Sequence, residues 1–164
     1  IQSIPSGRLD SMMEITEELQ GKAIIWATYT HDITSIAKTL RDKFGYEAVA
    51  TYYGATEQDE RQDIVTRFQD PDSPLRFFIG QPKTGGYGIT LTAADTVIYY
   101  SNSYDLEIRL QSEDRAHRIG QTKSVTYIDL VSPDTIDEKV LDALRSKVNL
   151  AGKVLGEEVK GWLS

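Results

Sequence analysis

Short apolar runs of strand length alternate along this chain with stretches whose apolar residues recur every three or four positions, the pattern of strands separated by helices. That alternation restricts the fold more than any other feature. A helix between two strands makes a crossover, so successive strands run parallel and form an open α/β sheet with helices packed on it. The first helix is expected over residues 8–20, where Leu9, Met12, Met13, Ile15 and Leu19 form a stripe that Gly21 ends. Residues 23–27, Ala-Ile-Ile-Trp-Ala, read as a buried strand. Ile33, Ile36, Ala37, Leu40 and Phe44 mark a second helix closed by Gly45, and residues 47–53 a second strand. Thr56 is the expected N-cap of a helix over 57–68, carrying Ile64, Val65 and Phe68 and broken by Asp-Pro-Asp-Ser-Pro at 70–74. Strands follow at 76–80, 96–101 and 124–131, with a helix at 105–118 between the last two. Val140, Leu141, Leu144, Val148 and Leu155 predict a long amphipathic helix at the end.

Composition narrows the class without naming it. A chain of 164 residues, 40% of them hydrophobic, suits one domain over 1–164, with 132–164 as a helical extension. It has no cysteine and only two histidines, which leaves no disulfide framework or thiolate metal site and argues against a structural zinc; no metal ligand is assigned in this chain. No apolar run approaches the roughly 20 residues that cross a bilayer, so an intracellular, cytoplasmic protein without membrane contact is expected. The 18 basic and 25 acidic residues give a net charge of -7, which opposes diffuse attraction to a polyanion. Contact with nucleic acid must therefore be local.

In an open α/β sheet, binding residues gather on loops at the carboxyl ends of strands. Those loops hold Thr28, Tyr29, Thr30 and His31; Tyr53, Gly54 and Ala55; and residues 81–88, with the glycine-rich run Thr84-Gly-Gly-Tyr-Gly88. Glycines let backbone N–H groups approach a phosphate, although an isolated GGxG also serves as a tight turn with no ligand. The dinucleotide pattern is absent, since Leu91 stands where its third glycine belongs. Further on, Arg115 and Arg118 lie three apart on one helical face behind Gln111. Two readings of that pair remain open: a forked grip on phosphate, or a solvated rim neutralised by Glu113 and Asp114.

The run from Gln111 to Gln121 resembles motif VI of superfamily 2 helicases, whose Q-x-x-[GD]-R-x-x-R pattern fits Gln111, Asp114, Arg115 and Arg118. The longer string DRAHRIGQ is similar to the Swi/Snf-type branch. KTGGYGITLTAADTVI, from Lys83, resembles motif V of the same branch, with Lys83, Gly85, Gly86, Gly88, Leu91 and Ala94 matching and Gln81, Pro82, Thr84 and Thr90 departing. Tyr53-Gly-Ala-Thr followed by Glu60-Arg61 and Phe68 resembles motif IVa, and residues 26–29 stand where motif IV would. Ser6-Gly-Arg-Leu resembles the entry into the second lobe, and Thr135-Ile-Asp-Glu-Lys-Val the helix after the last motif. Tyr104 replaces the tryptophan common in chromatin remodellers, and the short loops resemble compact bacterial or phage-type members.

The resemblance implies a RecA-like open parallel sheet with helices on both faces, the C-terminal lobe of an ATP-dependent DNA translocase or helicase. It implies that Arg115 and Arg118 neutralise γ-phosphate charge, with Gln111, Asp114 and Gly88 on the nucleotide side. Thr30, Arg61, Lys83, Gly85 and Gly86 would line the DNA path. ATP with magnesium and an N-terminal RecA-like lobe are the implied cofactor and partner, with DNA, expected to be duplex in this family, as the track. No G-x-x-x-x-G-K-[ST] phosphate cradle occurs, because Gly21-Lys22 precedes Ala23 and Gly152-Lys153 precedes Val154. The chain is therefore expected to be half of an ATPase and inactive alone. Two other classes compete: a non-catalytic nucleic-acid-binding module, and a nucleotide-sugar-binding α/β enzyme.

Overall fold

The computed structural model describes residues 4–54, 56–83, 89–101, 106–116 and 124–130. Gly85, Gly86, Gly88, Arg118 and the expected 132–164 extension lie outside them. Helix α1 (Ile4–Glu18) leads into β1 (Lys22–Trp26), α2 (Thr30–Phe44), β2 (Val49–Tyr52), α3 (Gln58–Gln69), β3 (Phe77–Gly80), β4 (Ala94–Tyr99), α4 (Leu106–Ala116) and β5 (Thr126–Asp129). The five strands form one sheet in the order β2-β3-β1-β4-β5, and every neighbouring pair is parallel. This is the α/β architecture that the alternation of runs requires.

Successive residues of a strand face opposite sides, so a sheet covered on both faces needs unbroken apolar strands. Ala23, Ile25, Phe77, Ile79 and Ile98 face one side, where Met12 of α1 and Ile33, Ile36 and Leu40 of α2 cover them. Ile24, Trp26, Phe78, Val97 and Tyr99 face the other, against Ile64 and Phe68 of α3 and Ala116 of α4. Full burial of such side chains contributes about 1.5–3 kcal/mol each, and these two layers hold the lobe together.

Several boundaries differ from the sequence expectations by a few residues, and three of the differences show something local. Helix α1 is already formed at Ile4, ahead of the expected residue 8, and includes Pro5. Ahead of β2, Gly45 takes a positive φ of 101°, and Tyr46–Ala48 form a 3-10 turn instead of strand. Thr56 is not a helix cap: Glu57 holds that position without a side-chain bond. The Thr56 hydroxyl instead donates to the Thr51 carbonyl (3.2 Å) and accepts from the Tyr53 N–H (3.1 Å), closing the turn after β2. At the end of β3, a Cβ on Gly80 would stand 2.8 Å from the Tyr52 carbonyl oxygen, so only glycine fits there.

Candidate functional site

At the carboxyl edge of the sheet the loops are tied to one another. The Thr28 N–H donates to Ser101 Oγ (2.7 Å), and the Gln81 amide donates to the Thr28 carbonyl (3.3 Å). The ends of β1, β3 and β4 thus form one connected rim. Thr30 is exposed at the first turn of α2, where free N–H groups give the helix end a positive character. Beside it Tyr29, 58% exposed, stacks on His31 with ring centroids 5.7 Å apart. Lys83 is exposed on the rim after β3.

Arg61 has a structural task on this rim. Its Nε donates to the Thr56 carbonyl (3.0 Å) and its Nη2 to the carbonyls of Tyr53 (3.1 Å) and Gly54 (3.3 Å), while the guanidinium lies over the Tyr52 ring. The sequence marks Arg61 as a contact residue. In the fold it also fixes the turn after β2, through a planar fork that a lysine could not reproduce.

The second cluster is built on α4, which starts beside the carboxyl ends of β4 and β5 and runs back across the sheet. Its last residues reach the opposite edge, where the Leu91 N–H donates to the Arg115 carbonyl (2.8 Å) just ahead of β4. Arg115 is 7% exposed, so the solvated-rim reading does not describe it. Gln111 is half-buried, with its amide 3.4 Å from Glu107 Oε1, and Asp114 is exposed. Gln111, Asp114 and Arg115 share a helical face by spacing. The loops holding Thr30, Arg61 and Lys83 are brought together at one edge, and Arg115 is carried to the other. The segment that starts at Lys83 and ends at Leu91 connects the two.

Arg109, which the sequence did not single out, forms the most heavily bonded cluster of charged side chains among the described residues. It is 4% exposed and bonds both oxygens of Asp129 at the end of β5, at 2.7 and 3.0 Å. Its Nε donates to Glu113 (3.0 Å), and its guanidinium lies 3.5 Å from the centroid of the Tyr99 ring. Ser112 donates to the Arg109 carbonyl (2.7 Å), so the Tyr99 hydroxyl donates to Ser112 (2.6 Å). Burial opposes the guanidinium charge, but Tyr99, Asp129 and Glu113 outweigh it and hold Arg109 above its ordinary value. Burial also pushes the Glu113 carboxyl up to about 7, against the pull of Arg109. The Tyr99 hydroxyl is raised well above its usual range, again chiefly by burial. Helical spacing puts Arg109, Ser112, Glu113 and Ala116 on one face, but nothing in that spacing marks the face as buried.

No group of three or more histidine, aspartate or glutamate side chains that could hold a metal occurs among the described residues, and no described helix is long and apolar enough to cross a membrane. The helicase conserved C-terminal domain family matches residues 7–120. Similar proteins include the chromatin-remodeling ATPase INO80 of Cryptococcus neoformans, 43% identical over 95% of this chain and 9% of that protein. A probable ATP-dependent DNA helicase of Arabidopsis thaliana, CHR12, is 32% identical over 90% of this chain and 13% of its own length. The chain thus spans only a small fraction of these relatives. The crystal structure of the C-terminal part of the Fun30 ATPase domain superposes with a TM-score of 0.73 at 30% identity, over 84% of this chain and 45% of that one. By family match, sequence likeness and sheet order together, the chain belongs to the helicase conserved C-terminal domain family, as the C-terminal RecA-like lobe of a Snf2-type helicase.

Proposed function

We propose that this lobe is the second half of an ATP-dependent DNA motor, completed by an N-terminal RecA-like lobe. In this reading Arg115 and Arg118 offer forked, permanently charged donors to the γ-phosphate of ATP bound by the other lobe, Gln111 senses that phosphate, and Asp114 orients Arg115. Gly88 lies on the nucleotide side. Thr30, Lys83, Gly85 and Gly86 contact the backbone of a DNA track taken to be duplex, and Arg61 holds the turn that lies beside them. ATP and magnesium supply the phosphoryl group and its charge neutralisation. This chain's residues contribute orientation and positive charge from across the cleft.

The observation that carries the reading is the bond from the Leu91 N–H to the Arg115 carbonyl. A shift of the segment beginning at Lys83 then reaches the helix that holds the arginines, giving DNA contact a physical route to the nucleotide. The net charge of -7 fits a lobe that touches DNA at a few loops and shares the grip with a partner.

The test is DNA-stimulated ATP hydrolysis by the two lobes together. Arg118→Ala should lower turnover far more than ATP affinity and by well over tenfold, since arginine fingers are worth about three to five orders of magnitude in well-characterised phosphoryl transfer. Arg118→Lys should recover little. The isolated chain should show negligible hydrolysis. Normal turnover in both Arg115→Ala and Arg118→Ala would remove the arginines from the mechanism.

A further inference from the structure

A helix that presents a reactive group must be fixed in its axis and in its rotation. Helix α4 is fixed at both ends by polar contacts. At its last turn the Arg115 carbonyl is held by the Leu91 N–H, and in its first turns Arg109 is clamped to Asp129 on β5. The Tyr99 hydroxyl on Ser112 adds a third point on the sheet-facing side. A bidentate arginine–carboxylate pair sets direction as well as distance, which an apolar contact does not. The Arg109 guanidinium also lies over the Tyr99 ring, so it cannot swing without losing the ring or the carboxylate.

We infer that Arg109 is a positioning residue, clamping α4 to β5 and so fixing the helix from which Arg115 and, three residues on in sequence, Arg118 act. The inference rests on the reading of Arg115 and Arg118 given above. It assigns Arg109 a share in turnover although the residue does not touch the nucleotide. The clamp's reach is mechanical: about 10 Å of helix separates Arg109 from Ala116, so a small tilt at Arg109 becomes a displacement of ångström size at the far end. Misplacing a reacting group by about 1 Å can cost on the order of a hundredfold in rate.

The experiment uses the two-lobe protein well below its melting transition, with turnover and KM for ATP as readouts. The variants are Arg109→Lys, Asp129→Asn, Arg118→Ala, and each of the first two combined with Arg118→Ala. Arg118→Ala, with Arg115→Ala beside it, examines the underlying reading, and if both turn over normally, that reading and this inference both fall. With a slow Arg118→Ala protein in hand, Arg109→Lys should lower kcat by about tenfold or more while KM stays within about twofold. The Arg109→Lys/Arg118→Ala double variant should lose less than the product of the two single losses, because a residue acting through the arginines then has less left to position. Full kcat in folded Arg109→Lys, or losses that multiply in the double variant, would overturn the inference while leaving the arginine assignment intact. If Arg109→Lys melts below the assay temperature, the same two criteria apply to Asp129→Asn alone and with Arg118→Ala.

Discussion

Helices α3 and α4 cover the same face of the sheet, yet they are attached to it by opposite chemistries. Helix α3 inserts Ile64 and Phe68 among Phe78 and other buried apolar side chains, and Lys22 reaches up from β1 to donate to the carbonyls of Phe68 (2.6 Å) and Asp70 (2.7 Å) at its end. Helix α4 turns Arg109, Ser112 and Glu113 toward the sheet and contributes only the small Ala116 to the apolar layer. An apolar anchor is strong but non-directional. An ionic anchor gains little net stability after desolvation, but is expensive to break and holds one geometry. Helix α3, whose Arg61 serves the rim, is held mainly by the first kind. The helix that carries Arg115 has the second.

Deleting each anchor should separate the two. Phe68→Ala and Arg109→Ala should each cost about 3–5 kcal/mol, the first through a cavity and the second through carboxylates left buried without their cation. Urea denaturation of the lobe measures both. Adding Asp129→Asn and Glu113→Gln to Arg109→Ala should then restore part of the loss, whereas no polar change repairs Phe68→Ala. Failure of that restoration would mean that Arg109 acts as packing volume and the contrast is false.

A smaller effect appears with pH. The Glu113 carboxyl, raised to about 7 when folded, holds its proton longer than it does in the unfolded chain. Between roughly pH 4.5 and 7 the folded state therefore binds more protons, so this group's contribution falls as pH rises through that window and levels off above it. Glu113→Gln should remove that slope, gaining about 1–3 kcal/mol on the natural chain between pH 4.5 and 8 in parallel denaturation series. The smallest effect belongs to the outer face of α3, where Arg67 pairs with Asp63 in solvent. Arg67→Ala should change stability by no more than about 0.5 kcal/mol, and a larger loss would show that α3 too depends on charge.

The apolar anchor could be read in the sequence, and the ionic one could not. Ile64 and Phe68 stand four apart between turn residues, so their helix and its buried face follow from periodicity. The strands around Ile24, Phe78 and Val97 are equally plain, because covering both faces leaves no polar position to blur them. Arg109 lies in a stretch dense with charge, where an arginine reads as solvated. Its burial depends on Asp129, twenty residues on and in another element, and spacing along one helix carries no trace of that. Thr56 shows the converse error: a threonine just before a helix reads as a cap until the turn behind it takes the hydroxyl. The rim residues Thr30 and Lys83 were placed by a general rule of parallel sheets, whereas Arg115 ends at the opposite edge because α4 runs antiparallel to the strands.

The strand order has a consequence for how the chain reaches this shape. The central strand β1 is made early, yet Ala23 pairs with Phe77 on one side and Thr96 on the other. Neither partner is near in sequence, so the closure entropy of long loops must be spent before the middle of the sheet gains any contact. A chain growing from a ribosome holds α1, β1 and α2 with their apolar faces uncovered until β3 and β4 emerge. Such intermediates expose unpaired strand edges and are prone to stick to one another. Fragments that stop before residue 99 leave β1 with one side open, which makes the end of β4 the earliest point at which a shortened form of the lobe can close its core.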